Sequence, residues 1–255
     1  MTLAALWCVT AACLTLATAA VAAGPATQVY PSGPTVPENL LRIELRIAKP
    51  LHAPLLADKV RLLDADGQEI EGALLDLPLP SADGRRLTLL LHPGRVKSGV
   101  GANLRLGRAL HEGSQITLLV DDPAIGEPVR KTWQVVAFDA IGPAPNAWTI
   151  EAPRAASRTP LVVHLDAAIS STSQDLIAVR GADGKRVEGV TTLIDSERTW
   201  RFAPTRPWRA GRYALMTHPE LEDPAGNRIC ASFEAVQASR VACDGGAAAS
   251  FSIAR

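Results

Sequence analysis

The chain has 255 residues, 47% of them hydrophobic and 20% charged, a balance of globular and not disordered proteins. At about 100–200 residues per domain, this length leaves room for one or two domains. The 26 Lys and Arg match the 26 Asp and Glu, so no global field draws the chain to nucleic acid or to an anionic membrane.

Residues 1–23, MTLAALWCVTAACLTLATAAVAA, hold no charged side chain and close on small residues. They read as a secretory signal peptide, with Ala20-Val21-Ala22 and Ala22-Ala23-Gly24 offering the small residues that signal peptidase requires. A retained membrane anchor is the other reading, because about 20 apolar residues span a bilayer. No later stretch is apolar enough to cross a membrane, so no transmembrane segment is expected after cleavage. The expected location is periplasmic or extracellular. Cys230 and Cys243 follow the signal with twelve residues between them. In an oxidising compartment they would close a disulfide clip worth ~3 kcal/mol. Two unpaired thiols remain the alternative.

Residues 24–37 carry Pro25, Pro31, Pro34 and Pro37 and read as an extended linker without helical or strand pattern. Strands follow. Leu41, Ile43, Leu45 and Ile47 alternate with Arg42, Glu44 and Arg46, the period-two signature of a half-buried strand. Val60–Leu63 precedes an Asp-Gly turn signal at Asp66-Gly67. Leu87–Leu91, Ile116–Val120 and Thr132–Val136 are further strand patterns, and a short helical turn fits near Leu51–Lys59.

The second half repeats the first. ADGQEIEG at 65–72 and ADGKRVEG at 182–189 agree at five of eight positions. Each follows an apolar strand (Leu41–Ile47, Leu161–Leu165). Each precedes a strand ending in proline (Leu87–Pro93, Thr199–Pro204) and then a glycine-led strand (Gly113–Val120, Gly211–Met216). The offset suits one β-sandwich per copy. The chain therefore divides near Ile141–Pro145, into one β-sandwich at 38–141 and another at 146–255. The first copy is longer by a segment at 94–112 that carries Arg95, Lys97, Arg105 and Arg108. Long loops without their own structure are often functional, so this is a candidate partner-binding loop. A tolerated surface insertion is the alternative.

The second half, roughly Pro160–Arg255, resembles the bacterial Ig-like domains of the S-layer SbsA type. The resemblance is carried by Gly184, the Thr199–Pro204 strand, Ala210-Gly211-Arg212-Tyr213 and Leu221-Glu-Asp-Pro-Ala-Gly-Asn227. The first half fits the template more loosely, with Asp121-Asp-Pro-Ala-Ile-Gly126 in place of the Ala-Gly-Asn turn. The resemblance implies an all-β fold of two tandem Ig-like sandwiches in an extracytoplasmic setting, used as a spacer, stalk or adhesion module, with no catalytic residues. Asp66, Gly67, Asp183, Gly184, Asp223, Gly226 and Asn227 are read as structural turn residues. Asp bonds backbone amides two residues on, and Gly and Asn tolerate positive φ.

No Gly-x-Ser-x-Gly elbow, phosphate loop or His-Glu-x-x-His helix occurs, and the five histidines stand in no ligand spacing. The expectation is a non-catalytic module without cofactor, whose partner is an envelope protein or a surface polymer. The alternative is a periplasmic binder of a small ligand or a metal. For calcium the candidates are Asp64, Asp66 and Glu69, or Asp121, Asp122 and Glu127. A copper site of the CopC type uses a histidine at the mature N-terminus, and Ala23-Gly-Pro-Ala has none. The tryptophans Trp133, Trp148, Trp200 and Trp208 are expected to fill cores.

Overall fold

The computed structural model describes residues 26–97, 101–229, 231, 233 and 247–254. The signal segment, Cys230 and Cys243 lie outside the described residues. The first half forms β1 (Gln28–Tyr30), β2 (Thr35–Pro37), β3 (Arg42–Arg46), β4 (Val60–Leu63), β5 (Leu79–Pro80), β6 (Arg86–Leu90), β7 (Gln115–Val120) and β8 (Val129–Val136). The second forms β9 (Thr149–Glu151), β10 (Leu161–His164), β11 (Ile177–Arg180), β12 (Gly189–Ile194), β13 (Thr199–Pro204), β14 (Gly211–Thr217) and β15 (Ala247–Ile253).

Each half pairs its own strands. In the first, one sheet runs β1-β3-β6-β5 and the other β2-β8-β7-β4. In the second, the sheets run β12-β13-β10-β9 and β11-β14-β15. With strands lettered by chain order, both halves place A, B, E and D in one sheet and C, F and G in the other. This is the immunoglobulin arrangement. In the first half the A strand is split: β1 pairs antiparallel with β3, and β2 pairs parallel with β8. The fold is all-β, two Ig-like sandwiches in tandem.

Alternation builds each core. Ile43 and Leu45 of β3, Leu87 of β6, Leu118 of β7 and Trp133 of β8 are buried in the first cluster. The second is organised by a run of aromatic rings. Trp200, Phe202, Trp208, Tyr213 and Phe251 follow one another at centroid separations of 5.8, 5.9, 5.5 and 5.5 Å. Each such contact adds about 0.5–1.5 kcal/mol beyond area burial. Trp148 is buried there too. The two ADG segments fall at the same place, just after the C strand of each half. Gly67 (φ 79°) and Gly184 (φ 76°) occupy the left-handed position of the turn.

Two regions differ from expectation. Residues 24–37 are not a bare linker: their described part carries β1 and β2, and Val29 and Val36 pack on the first core. Pro31 and Pro34 sit between the strands, where the chain crosses from one sheet to the other and no ladder N–H is needed. Trp133 Nε1 donates to the Pro31 carbonyl at 2.9 Å and Lys131 Nζ to that of Ser32 at 2.6 Å, which ties the crossing down. The 94–112 segment carries two short helices, α1 (Pro93–Val96) and α2 (Gly101–Leu106). Val96, Ala109 and Leu110 bury against the core. Among the described residues no helix is long and apolar enough to cross a membrane.

Candidate functional site at the junction of the two sandwiches

The polar face of β3 does not look into water. Arg42, Glu44 and Arg46 alternate with the core residues of that strand, so they emerge on the outer side of the sheet. There the loops at one end of the second sandwich cover them. Arg42 Nη2 meets Glu222 Oε1 at 2.8 Å. The Ser171 hydroxyl donates to Glu44, which is 4% exposed. Arg46 Nη2 donates to Gln174 Oε1 at 3.0 Å, and the same amide reaches the Thr191 carbonyl of β12 at 2.8 Å. Burial pushes the Glu222 carboxyl above its usual range, with the Arg42 guanidinium pulling the other way.

A second carboxylate closes the seam beside it. Glu197, 2% exposed, accepts from the backbone N–H of Ser32 at 2.9 Å and from its hydroxyl. It stands on the β12–β13 hairpin, where Asp195, Ser196 and Glu197 hold φ of 52°, 56° and 61° in succession. Left-handed backbone costs a non-glycine residue of the order of 1 kcal/mol or more, and persists only where surroundings impose it. Here those surroundings include Gly33. A Cβ at Gly33 would sit 2.9 Å from that of Ser196.

Asp223, Gly226 and Asn227 form the other edge of the seam. Asp223 accepts from the backbone N–H of Asn227 and from its Nδ2, each at 2.9 Å. Asn227 Nδ2 also reaches the Asp139 carbonyl at 3.0 Å, and Asn39 Nδ2 reaches that carbonyl from the first sandwich at 2.7 Å. Leu41 N–H donates to the Pro224 carbonyl at 3.0 Å. Gly226 (φ 83°) packs so closely that a Cβ would sit 2.6 Å from Leu41 Cδ2. Burial raises the Asp223 carboxyl to about 6, against the hydrogen bonds from Asn227 that favour its charged form. Beside the seam a cleft of about 420 Å³ is lined by Pro34, Val136, Phe138, Ala167, Ala168 and Arg198, among others.

The cations of the 94–112 segment are largely held by their own sandwich. Arg95 is 7% exposed and donates to the carbonyls of Glu71 and Arg108. Arg108 donates to the Val96 carbonyl at 2.8 Å and lies 5.0 Å over the Phe138 ring. Lys97 stands 4.2 Å over Phe233, across the seam, while Arg105 is exposed. Two of the six carboxylates considered for calcium serve backbone: Asp64 accepts from Asp66 and Gln68 N–H, and Asp122 from Ala124 and Leu56 N–H. Asp66 is exposed in its turn, and Asp183 accepts from Lys185 N–H at 3.1 Å. Among the described residues no three His, Cys, Asp or Glu gather as a metal site. Sequence reasoning missed Glu44, Glu197 and Glu222. The one available signal was a strand with an unbroken charged face beside a chain that repeats.

No family model and no curated protein matches the chain. Among solved structures, a chimeric titin Z1Z2 carrying a decorin peptide is similar at 11% identity over 76% of this chain and 90% of that one, with a TM-score of 0.26. The N-terminal Ig1-2 module of the Drosophila receptor protein tyrosine phosphatase DLAR is similar at 10% identity over 76% and 91%, with a TM-score of 0.25. Scores this low carry no weight of their own, and the immunoglobulin assignment rests on strand order and pairing.

Proposed function

We propose that this chain is an exported, non-catalytic module of the bacterial envelope, a structural spacer that holds two Ig-like sandwiches at a fixed angle and presents them to an envelope protein or surface polymer. The observation that carries this reading is the seam. Three carboxylates, two arginines and a buried asparagine pair are committed to joining one sandwich to the other. Groups of that kind cost several kcal/mol when desolvated without partners. A flexible tether between independent modules needs none of them. The export signal and the SbsA-type resemblance supply the setting.

The test is nitrogen-15 relaxation on the full chain. Both sandwiches should tumble with one correlation time, and Arg42→Ala with Glu222→Ala should split it into two. Independent tumbling of the unaltered chain would end the spacer reading. The cleft of about 420 Å³ supports a second reading, a small apolar ligand held at the junction. A saturable calorimetric signal with such a ligand, lost in Phe138→Asp, would favour it.

A further inference from the structure

The end of the second sandwich opposite the seam is built from three loops: 153–160, 181–188 and 205–210. They are stitched together around one ring. Ala156 N–H donates to the Trp208 carbonyl at 2.8 Å and Trp208 N–H to that of Ser157 at 2.9 Å. The Trp208 indole donates to the Thr159 carbonyl at 2.8 Å. Tyr213 Oη bonds both the N–H and the carbonyl of Arg209. The loops therefore hold a set shape, and between two of them lies a hollow of about 430 Å³.

That hollow is cationic. Lys185, Arg186, Arg206 and Arg209 line it, against Asp183 and Glu188. Arg154, Arg158, Arg180 and Arg212 stand exposed around the same end. A chain whose charges sum to zero thus gathers, among the described residues, eight cations against two carboxylates at one pole. None of the eight side chains makes a hydrogen bond or ion pair with a described residue. Seven of the eight are arginine, whose planar fork meets carboxylate or phosphate oxygens two at a time. The arginines at the seam and in the 94–112 segment are mostly bonded within the protein; these make no side-chain bond to a described residue.

We propose that this pole binds an acidic polysaccharide, a proposal that rests on the envelope reading above for the choice of polymer. The surface is concave and cationic, and none of the exposed large apolar side chains lies in the three loops. A membrane-docking surface needs apolar side chains to insert. A reader of single-stranded nucleic acid needs open aromatic faces for stacking, but Trp208 and Tyr213 are buried. A hollow of this size takes one or two sugar rings, and the surrounding cations meet charges repeated along the chain.

The experiment is a binding titration of the full chain with polygalacturonate, with neutral dextran, anionic lipid vesicles and duplex DNA as the other arms. Polygalacturonate should bind, weaken steeply with salt, and outcompete the rest. The quadruple variant Lys185→Ser, Arg186→Ser, Arg206→Ser and Arg209→Ser should bind at least ~10-fold more weakly, with the slope of log K against log salt reduced by about 3. Its melting temperature should hold, since the four side chains support nothing. Arg154→Glu with Arg158→Glu, on a separate loop, gives an independent reading of the same pole. A matched variant of Lys49, Arg61, Arg86 and Arg130 to Ser on the first sandwich should change little. Three results overturn the proposal: no binding, binding to vesicles or DNA alone, or equal weakening by the matched variant. None of them bears on the common tumbling of the two sandwiches, which tests the spacer separately.

Discussion

Replacing Asn227 with alanine should cost about 3–5 kcal/mol, because this fully buried side chain satisfies groups on both sides of the seam. Its Nδ2 serves the Asp223 carboxylate at 2.9 Å and the Asp139 carbonyl at 3.0 Å, and its Oδ1 accepts from Phe233 N–H at 3.0 Å. In Asn227→Ala the Asp139 carbonyl keeps its bond from Asn39, but the Phe233 N–H and one oxygen of the Asp223 carboxylate are stranded. A stranded buried group costs about 1–3 kcal/mol, with charged groups at the upper end, and two of them give the stated range. Urea unfolding followed by tryptophan fluorescence reads it as a lower midpoint at unchanged slope. Asn39→Ala supplies an internal check. Either asparagine alone leaves the Asp139 carbonyl paired, whereas the double variant leaves it bare, so the double cost should exceed the sum of the singles. A loss below about 1 kcal/mol for Asn227→Ala, or strict additivity, would refute the view that this carbonyl is the shared anchor.

The buried Asp223 carries a pH signature. Its carboxyl rises from 3.8 to about 6 on folding, so it contributes stability below pH ~4 and loses it as pH rises through about 6. That contribution is worth about 3 kcal/mol. Asp223→Asn should remove this component, visible as a flatter stability profile between pH 4 and 6.5; an unchanged profile would count against the burial argument. Gly226→Ala should cost about 2–4 kcal/mol, from a left-handed φ and a methyl driven into Leu41. Adding Leu41→Ala should recover the steric part in the same unfolding assay. Trp200→Ala, at the head of the aromatic run, should cost about 3–5 kcal/mol and flatten the near-ultraviolet circular dichroism of the second sandwich.

Much of the architecture was legible because β structure writes itself locally. The alternation Leu41, Ile43, Leu45, Ile47 marked β3, and the paired ADG turns marked the same C-strand exit in both halves, where a left-handed glycine is needed. Trp200 and Phe202 two residues apart announced a shared inner face. Residues 24–37 misled because four prolines argue against a strand, yet none of the described ones had to donate to a ladder. The 94–112 segment misled because its glycines and cations look like an open loop, while Val96, Ala109 and Leu110 pull it onto the core. The pole was hidden for another reason: Arg154 and Arg158, Lys185 and Arg186, and Arg206 and Arg209 are pairs on three separate loops, and no sequence window contains them together.

The chain's own pattern determined which side chains turn inward within each sandwich, because strand periodicity and turn chemistry are set by neighbours a few residues apart. What covers the outward sides was decided only by tertiary structure. The Arg42, Glu44 and Arg46 face reads as a solvated face in one dimension. It becomes the bed of the second sandwich only when Ser171, Gln174 and Glu222, about 130–180 residues away, arrive to pair with it. Charged side chains accept water or a matching polar surface equally well, so hydropathy alone does not choose between them.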